Sequence, residues 1–330
     1  MLFFEKLHSK KDILIKKQNR FAAIDLGSTN CRLVIVDIIE DKYKIICSFS
    51  EILNLGRNLS FSNEFNDEII EKTIEIFKII SQKLKYYNVL SYRCVATEAC
   101  RQSINSDELV KRIHERTNIE IEIIPSKEEA RLCLKSCLNH NVNLNDFNLV
   151  FDIGGGSTEI IIFDSIYSNK DFDFLSIPIG VINFSEKVSL FKTEKVLGQL
   201  EKQMMFFSKK KKIHNEPISI IGSCGTVTTL CAIHLKLNYY QKSLVDNTLL
   251  EIEDLKQTCN FVKRLSSEEK EKHPCIGPQR INLLDNGILI LEKILESWPV
   301  KRILVSDRGL REGIILDQIK FKRKNEKNKT

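Results

Sequence analysis

No stretch of this chain approaches the roughly 20 consecutive apolar residues that a membrane-spanning helix requires, so no helical span is expected. Proline and tryptophan are scarce, at 6 and 1 residues, while hydrophobic content is 42% and charged content 28%. Those values exclude a proline-rich or generally disordered polymer and fit globular cores. The 10 cysteines include no Cys-x-x-Cys pair, which argues against zinc knuckles and thioredoxin-like motifs. Cys133 and Cys137, with His140 close behind, come nearest to a metal cluster. Beside Leu134 and Leu138 they read better as buried thiols. No large charge excess exists either: 50 Lys and Arg against 44 Asp and Glu leave a formal net charge of +6. Nucleic acid is therefore not demanded, and an acidic small ligand is compatible. The segment Met1–Arg20 mixes Leu2, Phe3 and Phe4 with Lys6, Lys10, Lys11, Lys16 and Lys17. It has no sustained apolar core and reads as a basic extension rather than a signal peptide; a cytoplasmic location is expected. The lysine runs at 209–212 and 320–329 read as solvated surface, with a basic rim that guides a polyanion as the second reading.

What is present is an alternation of strands and helices. Phe21–Asp37 contains two apolar strands around a turn at 27–30, and a third strand follows at Tyr43–Ser50. Apolar residues at helical spacing (Ile69, Ile70, Ile74, Phe77, Ile80, Leu84) predict an amphipathic helix over Asn66–Tyr86. A strand at Tyr92–Ala96, a helix near Asp107–Arg116, a strand at Glu120–Ile124 and a helix after Ser126 complete a first half. The pattern restarts near residue 149, after a polar, Asn-rich stretch at 139–148, and ends in a helix near Arg308. Alternation of this kind predicts α/β sheets with helices on their faces.

Two segments align without a gap: Asp25-Leu-Gly-Ser-Thr-Asn-Cys-Arg-Leu-Val-Ile-Val-Asp37 and Asp152-Ile-Gly-Gly-Gly-Ser-Thr-Glu-Ile-Ile-Ile-Phe-Asp164. Each opens on an aspartate that ends an apolar strand, passes a small polar turn and returns as a strand. Two ordinary hairpins would also use glycine and aspartate in this way. Yet each hairpin opens one half of the chain. A turn free of bulky side chains can direct backbone N–H groups at an anion, and a strand-terminal carboxylate suits hydrated magnesium.

At these residues the sequence resembles the exopolyphosphatase and guanosine-pentaphosphate phosphohydrolase family, within the actin/hexokinase/Hsp70-like ATPase superfamily. The resemblance runs from Phe21 to about Ile315. It includes Ala96-Thr-Glu-Ala-Cys-Arg101, Ser126-Lys-Glu-Glu-Ala-Arg131, Gly222-Ser-Cys-Gly-Thr226, His273-Pro-Cys-Ile-Gly-Pro-Gln-Arg280 and Ser306-Asp-Arg-Gly-Leu-Arg-Glu-Gly313. It is to a short form, without the HD-type helical domain of longer relatives. Thr29-Asn30 and Cys224 depart from the usual Asn-Ser and serine.

The resemblance implies two ribonuclease H-like domains, at 21–145 and 146–312, with a cleft between them and a closing helix and basic tail at 313–330. Glu129 is implied as the base that activates water. With Ser126 it also fits a Ser-x-x-Glu capping box, in which it would only cap a helix. Its neighbour Glu128 is expected in solvent. Asp152, Glu159 and Asp25 are implied as magnesium ligands, although Glu159 could equally be an outward-facing strand residue. Ser28, Thr29, Gly155, Gly156, Ser157 and Thr158 would donate to phosphate, with Arg101 as a bidentate phosphate ligand. Arg32, Gly222, Gly225 and Thr226 are candidates for further substrate contacts. Asp307 and Arg311 are expected to lock the closing helix. The expected activity is magnesium-dependent release of terminal orthophosphate from polyphosphate. Guanosine pentaphosphate is the rival substrate, and a non-catalytic binder of either polyanion is the rival of another class. The partners expected are these polyanions, without nucleic acid or membrane, and with room for a homodimer.

Overall fold

The computed structural model describes residues 20–39, 42–138, 147–163, 172–210 and 219–327. The first half places β1 (Arg20–Leu26), β2 (Asn30–Ile39), β3 (Lys42–Ile52), β4 (Ser91–Ala96) and β5 (Glu122–Ile123) in one sheet, ordered β3-β2-β1-β4-β5. Its helices are α1 (Leu59–Ser62), α2 (Asp67–Tyr86), α3 (Glu98–Gln102), α4 (Ser106–Thr117) and α5 (Ser126–Cys137). The second half carries β6 (Phe147–Ile153), β7 (Thr158–Phe163), β8 (Phe172–Ile177), β9 (Ser219–Gly222), β10 (Leu249–Glu251) and β11 (Arg302–Val305), ordered β10-β11-β9-β6-β7-β8. Between those strands lie α6 (Asn183–Phe191), α7 (Thr193–Lys210), α8 (Gly225–His234), α9 (Lys242–Val245), α10 (Ile252–Arg264), α11 (Ser267–Lys272) and α12 (Ile281–Ser297), and α13 (Leu310–Lys327) ends the chain.

The two sheets repeat one plan. In each, an antiparallel three-strand meander pairs through its first strand with two parallel strands, β4–β5 or β9–β11. The second sheet adds β10 at its edge. The local signals that build these elements are plain. Asn66 caps α2 by accepting from the Ile69 N–H at 2.9 Å, and Ile70, Ile74, Phe77 and Ile80 bury its apolar face. Strand β5 is shorter than its apolar run suggests: after Ile124 bonds to Ala96 O at 3.1 Å, Pro125 offers no N–H and α5 begins. Among the described residues no helix is long and apolar enough to cross a membrane.

Two helices cross over between the halves. From α5, Ala130, Cys133, Leu134 and Cys137 pack on Val150, Ile161 and Leu304 of the second sheet. From α13, Ile314, Ile315 and Ile319 pack on Ala23, Val34 and Val95 of the first sheet. The stretch 139–146 between the halves, including His140, and the basic extension 1–19 lie outside the described residues. The crossing point is Gly313, where a Cβ would stand 2.1 Å from the Leu132 carbonyl oxygen. Such overpacking costs about 1–3 kcal/mol, so Gly313→Ala should lower the urea midpoint without changing the slope of the transition.

Arg131 and Lys135 of α5 both pair with Asp317 of α13. Burial opposes the Asp317 charge, but hydrogen bonds from those two cations outweigh it and hold its pKa below the ordinary value. A depressed folded pKa gives stability that is present above about pH 3.9, the ordinary aspartate value, and lost as pH falls through the folded pKa. Asp317→Asn should therefore destabilise the protein at pH 7, with the gap to the parent closing as pH falls from 4 toward 3 in parallel urea titrations.

Candidate active site

The two aligned hairpins adopt one geometry. In β1–β2, Asp25 stands opposite Arg32; in β6–β7, Asp152 stands opposite Glu159. Each turn closes with the same bond, Gly27 N–H to Asn30 O at 3.0 Å and Gly154 N–H to Ser157 O at 2.9 Å. The turns then meet. A Cβ on Gly155 would stand 2.3 Å from Thr29 Oγ1, and one on Gly156 would stand 2.7 Å from Ser28 Oγ. They face each other at van der Waals contact, and a cavity of about 570 Å³ opens beside them. Elsewhere between the halves, Glu186 of α6 accepts from the Asn58 N–H at 2.5 Å and the Ser60 N–H at 3.3 Å, tying them together at the start of α1.

The cavity wall holds Asp25, Ser28, Thr29, Arg32, Glu129 and Asp152, together with Gly155, Gly156, Ser157, Gly225 and Thr226. Eleven residues expected from the sequence are thereby brought to one space. Four others are not in the wall. Gly222 is held by packing, since a Cβ there would meet Phe151 and Ile303 at 2.9 Å. The Thr158 hydroxyl is committed to Ile179 O, to which it donates at 2.7 Å. Glu159 is neither outward-facing nor in the wall: it is 3% exposed and accepts from Ser157 Oγ at 2.6 Å and Ser176 Oγ at 3.0 Å. Arg101 was expected on a phosphate. Its guanidinium instead holds Glu98 Oε2 at 2.6 and 3.0 Å, Glu129 Oε2 at 2.8 Å and Ile124 O at 2.9 Å.

Glu129 does not form a capping box. Pro125 occupies the N-cap of α5, and the Glu129 side chain turns to Arg101. A capping box does form elsewhere, between Ser266 and Glu269. Glu128 is not simply solvated, because it bridges Arg93 at 3.0 Å and Arg131 at 2.7 Å. Cys133 and Cys137 are buried as expected of thiols.

Four carboxylates crowd this corner, and each has its pKa pushed up. For Glu129 burial acts first and Glu159 second; for Asp152 burial and then Glu129 raise it to about 8; for Glu159 burial and then Asp152. Asp25 is raised by burial, with Arg32 pulling against it. Close negative groups with too little positive charge between them invite a cation. The wall carboxylates Asp25 and Asp152 offer oxygen donors that suit magnesium, which takes one or two carboxylates and completes its shell with water and phosphate. Among the described residues no group of three or more His, Cys, Asp or Glu is arranged to hold a metal ion by itself, so magnesium would need water and phosphate oxygens to complete its shell.

The cavity wall also holds residues to which the sequence reading assigned little. Glu98, Tyr240, Arg280, Arg308 and Arg311 are all part of it. Arg311 and Asp307 were expected only to lock the last helix, yet both are in the wall. Much of the locking falls to neighbours: Arg308 Nε bonds Asp246 Oδ2 at 3.0 Å, and Glu312 accepts from the Gly309 N–H at 3.0 Å. Cys224 sits at the N-cap of α8, 7% exposed, and burial pushes its thiol up to about 12.

A duplicated ribonuclease H-like sheet, crossing helices and paired glycine turns at an interdomain cavity define the actin-like ATPase fold. Within it, this chain belongs to the Ppx/GppA phosphatase family, whose model matches residues 34–321. It is 28% identical to the bifunctional 3-dehydroquinate synthase/phosphatase of Fusobacterium nucleatum over 94% of this chain and 48% of that protein. The chain thus spans about half the length of that curated relative. The Ppx/GppA family member from Aquifex aeolicus is 28% identical at a TM-score of 0.73, covering 92% of this chain and 98% of that one. An exopolyphosphatase from Cytophaga hutchinsonii shares the fold at a TM-score of 0.80 and 21% identity, over 91% and 98% of the two chains.

Proposed function

We propose that this chain is a phosphohydrolase that cleaves the terminal phosphoanhydride bond of a phosphate polyanion, with inorganic polyphosphate as its substrate. The observation that carries this reading is the Glu129 carboxylate, turned into the cavity beside both glycine turns and oriented by Arg101. Phosphoryl transfer to water needs a positioned nucleophile and neutralised phosphate oxygens. Glu129 takes the proton of the attacking water. Backbone N–H groups of the two turns and the Ser28 and Ser157 hydroxyls orient the terminal phosphate, and Arg32 meets the next one. Asp152 and Asp25, both in the cavity wall, would hold magnesium, which when bound would supply neutralising charge to the phosphate oxygens. Gly225 opens α8 with free space above it, so the helix N-terminus receives a more distant phosphate.

Orthophosphate release from polyphosphate with magnesium, abolished by chelation, is the expected result. A chain that releases none from any phosphoanhydride would overturn the reading. Guanosine pentaphosphate is the second reading, favoured by one observation: Tyr240, Ile276, Leu283 and Leu284 give the cavity an apolar flank that an inorganic polymer does not need. Relative rates on the two substrates separate them. Tight binding of either polyanion without turnover would instead point to a non-catalytic binder.

A further inference from the structure

Glu98 stands in the first turn of α3, and its carboxylate is 13% exposed. Its Oε2 takes both Nε and Nη2 of Arg101, at 3.0 and 2.6 Å, and its Oε1 takes Gln102 Nε2 at 2.7 Å. The opposite edge of the same guanidinium, Nη1, donates to Glu129 Oε2 and to Ile124 O. Four of the five N–H groups of the fork are thereby committed to Glu98, Glu129 and one carbonyl. The stem of Glu98 also reaches the opposite half: a Cβ on Gly156 would lie 3.1 Å from its Cγ.

We infer that Glu98 is a positioning residue that keeps Arg101 on Glu129 and off the substrate phosphates. Arginine prefers bidentate oxyanions, and a polyanion entering the cavity offers several. A single Nη1 contact to Glu129, with one more to a neutral carbonyl, competes poorly against them. The Glu98 carboxylate changes that balance by holding two further N–H groups in the plane that presents Nη1 to Glu129. Glu98 thus acts on the reaction through Arg101, touching neither the water nor the scissile bond. This inference rests on the hydrolytic reading of Glu129.

The two sides of the balance move in opposite directions when Glu98 is truncated. In Glu98→Ala, Arg101 swings to phosphate, so substrate binds more tightly while Glu129 loses its orienting partner. The expected result is a kcat lower by about tenfold together with a KM lower by about threefold. Glu98→Gln, which keeps one oxygen acceptor, should recover part of kcat. A variant that is only misfolded in part would lose kcat with KM unchanged, and that result, or an unchanged kcat, would overturn the inference. A crystal structure of Glu98→Ala judges it without any assay. Arg101 should leave Glu129, and an Arg101–Glu129 bond still in place would count against the inference even if the parent chain released phosphate. A parent chain that releases none refutes the hydrolytic reading separately.

Discussion

Glu129→Gln should lower kcat by about 10² to 10⁴, the range over which a positioned general base contributes, and leave polyphosphate binding close to that of the parent. Glutamine keeps the length of the side chain and an oxygen for the Arg101 Nη1 bond, but it cannot accept the proton of the attacking water. The side chain is 17% exposed, so the exchange disturbs little packing. Burial, and then the charge of Glu159, raise the pKa of Glu129. Because the base must be unprotonated, activity of the parent should rise with pH through that pKa, and the residual activity of the variant should not follow the same limb. Initial-rate measurements across pH, with calorimetry for binding, check both halves. Equal rates in parent and variant would remove Glu129 from the reaction.

Gly155→Ala should have the next largest effect, roughly a hundredfold loss in kcat/KM, because misplacement of reacting groups by about 1 Å costs rate on that scale. The added Cβ would stand 2.3 Å from Thr29 Oγ1 and 2.9 Å from both Ser28 Cβ and Thr29 N. All three atoms belong to the other half of the molecule. Gly155 has no positive φ, so alanine is tolerated by the local backbone and the strain falls on the contact between halves. The two turns must separate, and a phosphate can then no longer be held from both sides. Thermal melting should change little, while small-angle scattering should report a more open molecule. Adding Thr29→Ala, which deletes the nearest atom, should restore part of the activity. A Gly155→Ala variant with full activity would show that the turns do not need to touch.

Much of the site was legible before any coordinates. The gapless repeat of Asp25–Asp37 and Asp152–Asp164 announces two equivalent hairpins, and the described strands place Asp25 and Asp152 at identical positions in them. Residue 164 itself lies outside the described residues. Apolar spacing located α2 and the strands, because burial of one face repeats with the period of the element. Arg101 and Thr158 show where this kind of reading stops. Both lie in motifs, yet each has a hydrogen-bond partner from a distant element, Glu129 in one case and Ile179 in the other. The short α9 and β10 also escaped, since elements of four and three residues carry no measurable period.

The sequence alone determined the duplication, the α/β class and the identity of the chemical groups, because these follow from periodicity and motif order along one chain, while the ribonuclease H-like domains came from the family resemblance. Only the tertiary structure decided which of those groups share the cavity. It alone buried Glu159 outside the cavity wall, put Glu98 and Arg311 in the wall, and passed α5 and α13 between the halves at Gly313. The physical reason is that a side chain's partner is set by where distant backbone segments are packed, and that packing is a property of the whole core.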